Sequence, residues 1–317
     1  MSSSKKISIL GAGRVGSSAA FALAVRGLCS EIVLVDIAKQ VAEGEAKDIV
    51  QGTPFINPMN IKSGEYSDVA GSDIVVVTLG MARKPGQTRI ELAQANVNII
   101  KSVMPEVAKY APDAIYVMVS NPVDVLTYAT LQVTNLSPKQ VIGSGTLLDS
   151  SRLRSIIAEE TGIDSSNIHG YVLGEHGDSS MVPWSILSVA GMGLEEYGQK
   201  VESVGAFSEE RILQIEKDMR ESGAVVIKNK GATNYAIAMS VSHLCKSILS
   251  NMNSVLPVST LMTGEYGMED VCLSVPTIVN GSGVVRTLQP ELTEKETQQL
   301  QNSAKVLKET LSTLDFK

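Results

Sequence analysis

Residues 6–16, KISILGAGRVG, carry the chain from an apolar extended run straight into a turn built on three glycines. KISIL offers a short buried strand, and glycines at 11, 13 and 16 leave the turn free of the Cβ atoms that would obstruct it. SSAAFALAVRG follows, small and apolar enough for a helix ending at Gly27, and EIVLVD (31–36) is a second apolar run closed by an acid. Strand, glycine turn, helix, strand is the simplest parse. Further buried strands are expected in DIVVVTLG (73–80), AIYVMVSNP (114–122) and QVIGSG (140–145), separated by helical stretches such as 90–110. Apolar runs alternating with helices imply a parallel sheet covered on both faces.

From about residue 148 the texture changes. A helix over 149–160 leads to IHGYVLGEHGD, and longer amphipathic stretches follow around 208–230 and 232–251. SVLPVSTLMTGEYG and CLSVPTIVNGSG read as hairpin strands, and Thr293 with Glu296 three residues later is a capping box that opens a last helix. The fold class expected is α/β: a Rossmann-type doubly wound parallel sheet over 1–145, followed by a mixed α+β domain over 146–317 that would carry the chemistry.

Composition narrows what such a fold could serve. The chain has 317 residues, 44% of them hydrophobic, a net charge of -7 and a pI near 5.2. That size and composition can build a real core, and the charge argues against a surface that holds nucleic acid or acidic lipid. Cys29, Cys245 and Cys272 are odd in number and lack metal spacing, so they read as reduced thiols of a cytoplasmic protein, and no metal site is expected. Two lysines precede the first apolar run as in a signal peptide, but glycines cut that run after four residues, and no stretch reaches the roughly 18–20 apolar residues of a membrane span.

Gly11, Gly13 and Gly16 form G-x-G-x-x-G between a strand and a helix, and Asp36 lies twenty residues beyond Gly16, at the end of the next strand. In that context the pattern marks a dinucleotide site. The glycines admit a pyrophosphate, the helix N-terminus supplies N–H donors, and Asp36 holds a ribose diol. A carboxylate there repels a 2′-phosphate, so NAD is expected rather than NADP.

The chain has three histidines. His176, in LGEHGD, is flanked by glycines that would present it at a pocket edge, whereas His169 and His243 lack that setting. Hydride transfer at a hydroxyl needs a base of near-neutral pKa, which suits His176. Asp149 and Arg152, three apart at a helix start, would share a face. If that face meets His176, Asp149 would orient the imidazole and Arg152 would offer a planar fork to a substrate carboxylate. Asn121, ending a strand in VSNPVD, has an amide that could donate to the substrate's oxygen.

GAGRVG with Asp36, ARKPGQTR, SNPVD, LDSSRLR and GEHGD stand in the order and spacing of the lactate/malate dehydrogenase family, and the chain resembles that family over nearly its whole length. The resemblance implies that His176 is the proton donor and acceptor, Asp149 its partner, Arg152 the carboxylate clamp and Asn121 a contact to substrate. It further implies that Arg89 polarises the carbonyl and that GMARKPGQTR is a mobile lid. Arg83, in that lid, matches a position that is Arg in malate and Gln in typical lactate dehydrogenases. A guanidinium would pair with the second carboxylate of oxaloacetate, whereas against the methyl of pyruvate it would be desolvated without a partner. The expected substrate pair is therefore oxaloacetate and malate, nearest to lactate-dehydrogenase-like malate dehydrogenases, with L-lactate dehydrogenase as the alternative. Several motifs lean toward lactate, and Thr233 in KGATNYAI matches a pocket position that is typically Thr in lactate enzymes. Arg154 and His169 match positions that bind fructose 1,6-bisphosphate between subunits of bacterial lactate dehydrogenases. The resemblance also implies a homo-oligomer, a tetramer or a dimer. A non-catalytic NAD-sensing protein would have no use for Asp149, Arg152, His176 and Arg89 together.

Overall fold

The computed structural model describes residues 4–81 and 86–316. Six parallel strands, β1 (Lys6–Leu10), β2 (Glu31–Val35), β3 (Asn60–Ser63), β4 (Ile74–Val77), β5 (Ile115–Met118) and β6 (Val141–Gly143), lie in the order β3-β2-β1-β4-β5-β6. This is the doubly wound order, which reverses direction between β1 and β4 and opens a crevice at the strands' C-terminal ends.

The inner strands are largely apolar because both faces are covered. Along β4, Val75 and Val77 point into one core with α3 (Arg89–Tyr110) and α4 (Val123–Val133), while Ile74 and Val76 point into another with α1 (Arg14–Val25) and α2 (Lys39–Gln51). The second core is completed from the other half of the chain by α8 (Tyr235–Leu249), whose Ala238, Val241, Leu244 and Cys245 are buried in it. α8 is tied to α1 by a hydrogen bond from Asn234 Nδ2 to Ser18 Oγ at 2.8 Å.

After α5 (Leu147–Thr161) the chain adds a small antiparallel sheet of β7 (Ile168–His169), β8 (Ser188–Val189) and β9 (Met192–Gly193), then α6 (Leu194–Lys200) and α7 (Glu209–Lys230). The hairpin expected near 254–280 is present as β10 (Ser254–Thr263) and β11 (Glu269–Asn280), followed by β12 (Gly283–Thr287) and α9 (Glu294–Ser312). Thr293 and Glu296 form the reciprocal cap of α9. These last strands do not form a separate layer. β10 pairs antiparallel with β6 through Ser259 and Gly143, so one nine-stranded sheet crosses from the first half of the chain into the second.

The sequence reading did not single out α2, β3, α4, the β7–β9 strands, α6 or β12. β3 is NIKS, an edge strand with one buried residue, Ile61, and so lacks the apolar run by which the inner strands announce themselves.

The crossing from β6 into α5 is tight. Gly145 has φ +50, and a Cβ there would overlap Ser274 Oγ and stand 2.6 Å from the Ser259 amide nitrogen. Gly145→Ala is therefore expected to destabilise the chain by about 2–4 kcal/mol through overpacking and left-handed strain. A denaturant midpoint equal to that of the unsubstituted chain would contradict this account of the seam.

Candidate active site

Loop 172–176, which precedes and includes His176, is fixed by backbone hydrogen bonds to four separate elements. From α5, the Thr146 hydroxyl donates to the Val172 carbonyl at 2.5 Å and the Val172 N–H donates to Ser150 Oγ at 2.8 Å. Gly174 and Ser274 of β11 exchange both of their N–H···O bonds, at 2.8 and 2.9 Å. The Glu175 N–H donates to Ser303 Oγ of α9 at 2.8 Å, and the His176 N–H donates to Asp124 Oδ2 of α4 at 2.7 Å. A glycine-rich loop held in this way presents one side chain in one place.

That side chain meets the first turn of α5. His176 Nδ1 lies 2.5 Å from Asp149 Oδ2, and Asp149 Oδ1 accepts from Arg152 Nη1 at 2.9 Å. With Nδ1–H donating to the carboxylate, Nε2 is the ring nitrogen left to exchange a proton. Burial opposes the charge on His176, but the carboxylates of Asp149 and, after it, Asp124 together hold the imidazole above its ordinary pKa. Burial likewise opposes the charge of Asp149, but the His176 and Arg152 cations hold its carboxyl below the usual range. Asp149 is 7% exposed and the Arg152 side chain 18%, so the ion pair works in a partly desolvated setting. Gly223 of α7 leaves room for the Arg152 guanidinium, 3.3 Å from where a Cβ would stand.

The other expected residues lie around this cluster at varying distances. Arg89, the first residue of α3, donates to Asp178 Oδ2 at 2.6 Å, which brings its guanidinium to the loop two residues past His176. Both side chains of that pair are exposed. Asn121 follows β5, and its carbonyl accepts from Asn96 Nδ2 at 2.7 Å. Thr233 sits half-buried in the turn between α7 and α8. Arg83 lies outside the described residues. Arg154 and His169 line one cavity of about 520 Å³ together with His243, Tyr171 and Met239. Two of the Arg154 guanidinium nitrogens are engaged by the Ser165 carbonyl, at 3.2 and 2.8 Å.

Sequence reasoning missed three residues that organise the site. Asn96, buried in α3, accepts from the Met81 N–H at 2.9 Å while donating to Asn121, and so ties the segment after β4 to the end of β5. Asp178, the last letter of the GEHGD motif, is the partner of Arg89. Asp124 stands inside the quoted SNPVD motif, and only its burial shows that it is not a surface acid.

The dinucleotide cradle can be tested from its own geometry. A Cβ on Gly16 would overlap the Gly11 carbonyl, and one on Gly11 would stand 2.9 Å from Thr78 Oγ1, so both are required by close packing of strand, turn and helix. Gly13 is different: a Cβ there would meet nothing, so its bareness leaves space on the open side of the turn. Asp36 is held by the N–H groups of Ala12 and Ala38 at 2.7 and 2.8 Å, with lone pairs remaining for a ribose diol. These residues fit NAD.

All three cysteines are buried and unpaired. Among the described residues no cluster could hold a metal ion, and no helix is long and apolar enough to cross a membrane.

Residues 5–143 match the family described as lactate/malate dehydrogenase, NAD binding domain, and residues 146–315 match its alpha/beta C-terminal domain. The chain is 47% identical over 314 residues to L-lactate dehydrogenase 1 of Clostridium acetobutylicum, covering 99% of this chain and 100% of that one. It is 42% identical to the L-lactate dehydrogenase of Acetivibrio thermocellus, over 98% of each chain. A crystal structure of the minor L-lactate dehydrogenase from Enterococcus mundtii, in its ligands-bound form, superposes with a TM-score of 0.95 at 37% identity, covering 99% of both chains. These relatives overturn the oxaloacetate/malate expectation. It rested chiefly on the identity of Arg83, and a single residue type carries less weight than the rest of the chain. Identity spread over the whole length favours the lactate alternative, toward which Thr233 and the motifs around it already leaned. NAD is the cofactor, and the activity is that of an NAD-dependent 2-hydroxy acid dehydrogenase. The chain belongs to the lactate/malate dehydrogenase family.

Proposed function

We propose that the protein is an L-lactate dehydrogenase that interconverts pyruvate and lactate. The observation that carries the chemistry is the His176–Asp149–Arg152 cluster, an acid–base group, its orienting carboxylate and a carboxylate-binding guanidinium joined by contacts of 2.5 and 2.9 Å. The choice of pyruvate rests on what the relatives are named and on Thr233, which narrows the space a second substrate carboxylate would need.

Bound NAD supplies the hydride acceptor and, when reduced, the donor. Everything else falls to the chain. Arg152 takes the pyruvate carboxylate through parallel N–H donors, which fixes the 2-oxo carbon in the crevice. His176, protonated, points Nε2–H at the 2-oxo oxygen and delivers its proton as charge develops there. Asp149 stabilises the imidazolium before transfer and holds the tautomer afterwards. Arg89, at the mouth of the site beside Asp178, has the charge to polarise the same oxygen once it leaves that partner. Asn121, at the end of β5, offers its amide to substrate. Gly13 and the first N–H groups of α1 receive the pyrophosphate, and Asp36 receives the ribose.

The sign of the pH dependence follows from the raised pKa of His176. Pyruvate reduction needs the imidazolium and falls as pH rises through that pKa, whereas lactate oxidation needs the neutral ring and rises over the same range.

NADH oxidation followed in parallel with pyruvate and with oxaloacetate tests the assignment. A kcat/KM for pyruvate at least about a hundredfold above that for oxaloacetate is expected, and His176→Asn should cost the pyruvate reaction about 10²–10⁴-fold. An oxaloacetate preference would refute the substrate, and an undiminished His176→Asn enzyme would refute the mechanism. For the cofactor, Gly13→Ala should leave the unfolding midpoint within about 0.5 kcal/mol of the unsubstituted chain, because its methyl meets no protein atom, yet weaken NADH binding tenfold or more. NADH titration by fluorescence reads the second effect, and unchanged affinity would place the pyrophosphate elsewhere.

A further inference from the structure

Two buried side-chain oxygens have no hydrogen-bond partner among the described residues, Asp124 Oδ1 and Ser259 Oγ. They belong to one place. Asp124 is in the first turn of α4 and 2% exposed, Ser259 is on β10 and fully buried, and the Ser259 hydroxyl faces the Asp124 carboxyl. The other oxygen of that carboxyl, Oδ2, accepts the His176 N–H at 2.7 Å. A carboxyl is an expensive group to bury for the sake of one backbone hydrogen bond, which a neutral asparagine or serine would satisfy.

Its surroundings show what the charge can do. Besides His176, the titratable groups that face Asp124 are Glu175 from the loop and Cys272 from β11, and neither is a cation. His176 itself is faced by Asp149, Asp124 and Arg152. The imidazolium is therefore the positive charge that a buried Asp124 carboxylate has available to it. We propose that Asp124 is a positioning residue for His176, anchoring its backbone N–H and placing a second negative charge, after Asp149, beside the imidazole. This rests on the reading of His176 as the acid–base group.

Ser259 completes the device. Its hydroxyl can rotate to donate to the carboxylate when Asp124 is ionised and to accept from the carboxylic acid when it is not, so the pair serves either charge state. Burial pushes the Asp124 carboxyl up to about 6, against the Ser259 hydroxyl, the His176 N–H and the His176 charge, which pull it down. Burial thus raises Asp124 while the neighbouring carboxylates raise His176, and each group's charge favours the other's.

Asp124→Asn tests the charge alone, since the amide oxygen still accepts the His176 N–H. The measurement is the titration midpoint of the His176 ring by NMR in the NADH-saturated protein, with the resonance assigned by its loss in His176→Asn. With only three histidines in the chain, the assignment is tractable. The midpoint should fall by about half a pH unit in Asp124→Asn. The alkaline limb of the kcat/KM profile for pyruvate should move with it, while KM for NADH stays unchanged. Ser259→Ala, which removes the partner of the ionised form, should shift the midpoint in the same direction by less, and it carries the test if Asp124→Asn does not fold. A His176 midpoint that stays put in the folded variant would overturn the proposal and leave Asp124 a structural contact. Because the NMR midpoint needs no turnover, failure of the wild-type protein to reduce pyruvate would count against the substrate assignment and not against this one.

Discussion

Everything at the site depends on the backbone of residues 172–176 being held from four sides. α5, β11, α9 and α4 each contribute at least one hydrogen bond to this short run, through side chains or backbone that sequence places far apart. The glycines at 174 and 177 bring a loop that can bend, and the clamp removes its freedom to do anything else. An acid–base group works only within hydrogen-bond reach of its partners, and a displacement of about 1 Å can cost on the order of a hundredfold in rate. Val172, four residues upstream of His176, is bound to Thr146 and Ser150 on either side of Asp149 in sequence, so the loop is held beside the carboxylate that His176 meets.

This arrangement also explains why the two halves of the chain do not separate cleanly. Asp149 and Arg152 sit just past the last parallel strand, His176 in the region after it, and Asp124 in the parallel half. The sheet runs on from β6 into β10, and α8 closes the core against α1 and α2. The elements that carry the cofactor cradle and the acid–base cluster thereby pack against one continuous sheet.

Much of this was legible in the sequence, for a physical reason. Strands buried on both faces must be largely apolar, so KISIL, EIVLV and IVVV could be found without knowing their partners. G-x-G-x-x-G with Asp36 was informative because backbone approach and ribose binding each demand one residue type at a set spacing. His176, Asp149 and Arg152 were singled out by local glycine flanks and helical spacing, and the structure brings the three into contact. Other features depend on tertiary packing and left no local trace. NIKS could not be told from a loop, and Asn96 looks like any polar residue of a long helix. Asp124 lay in a recognised motif, but its burial depends on β10, more than a hundred residues away. The substrate was misread where one residue, Arg83, was weighed above Thr233 and the texture of several motifs.

The proposed reaction needs this clamp to set His176 Nε2 and the Arg152 fork around a single 2-oxo acid. A crystal structure of the complex with NADH and a non-reducible pyruvate analogue tests it directly. The analogue's 2-oxo oxygen is expected at roughly 2.6–3.2 Å from His176 Nε2, with its carboxylate held by two parallel donors of Arg152. An analogue seated away from Arg152, or a His176 ring turned off Asp149 in the complex, would contradict it.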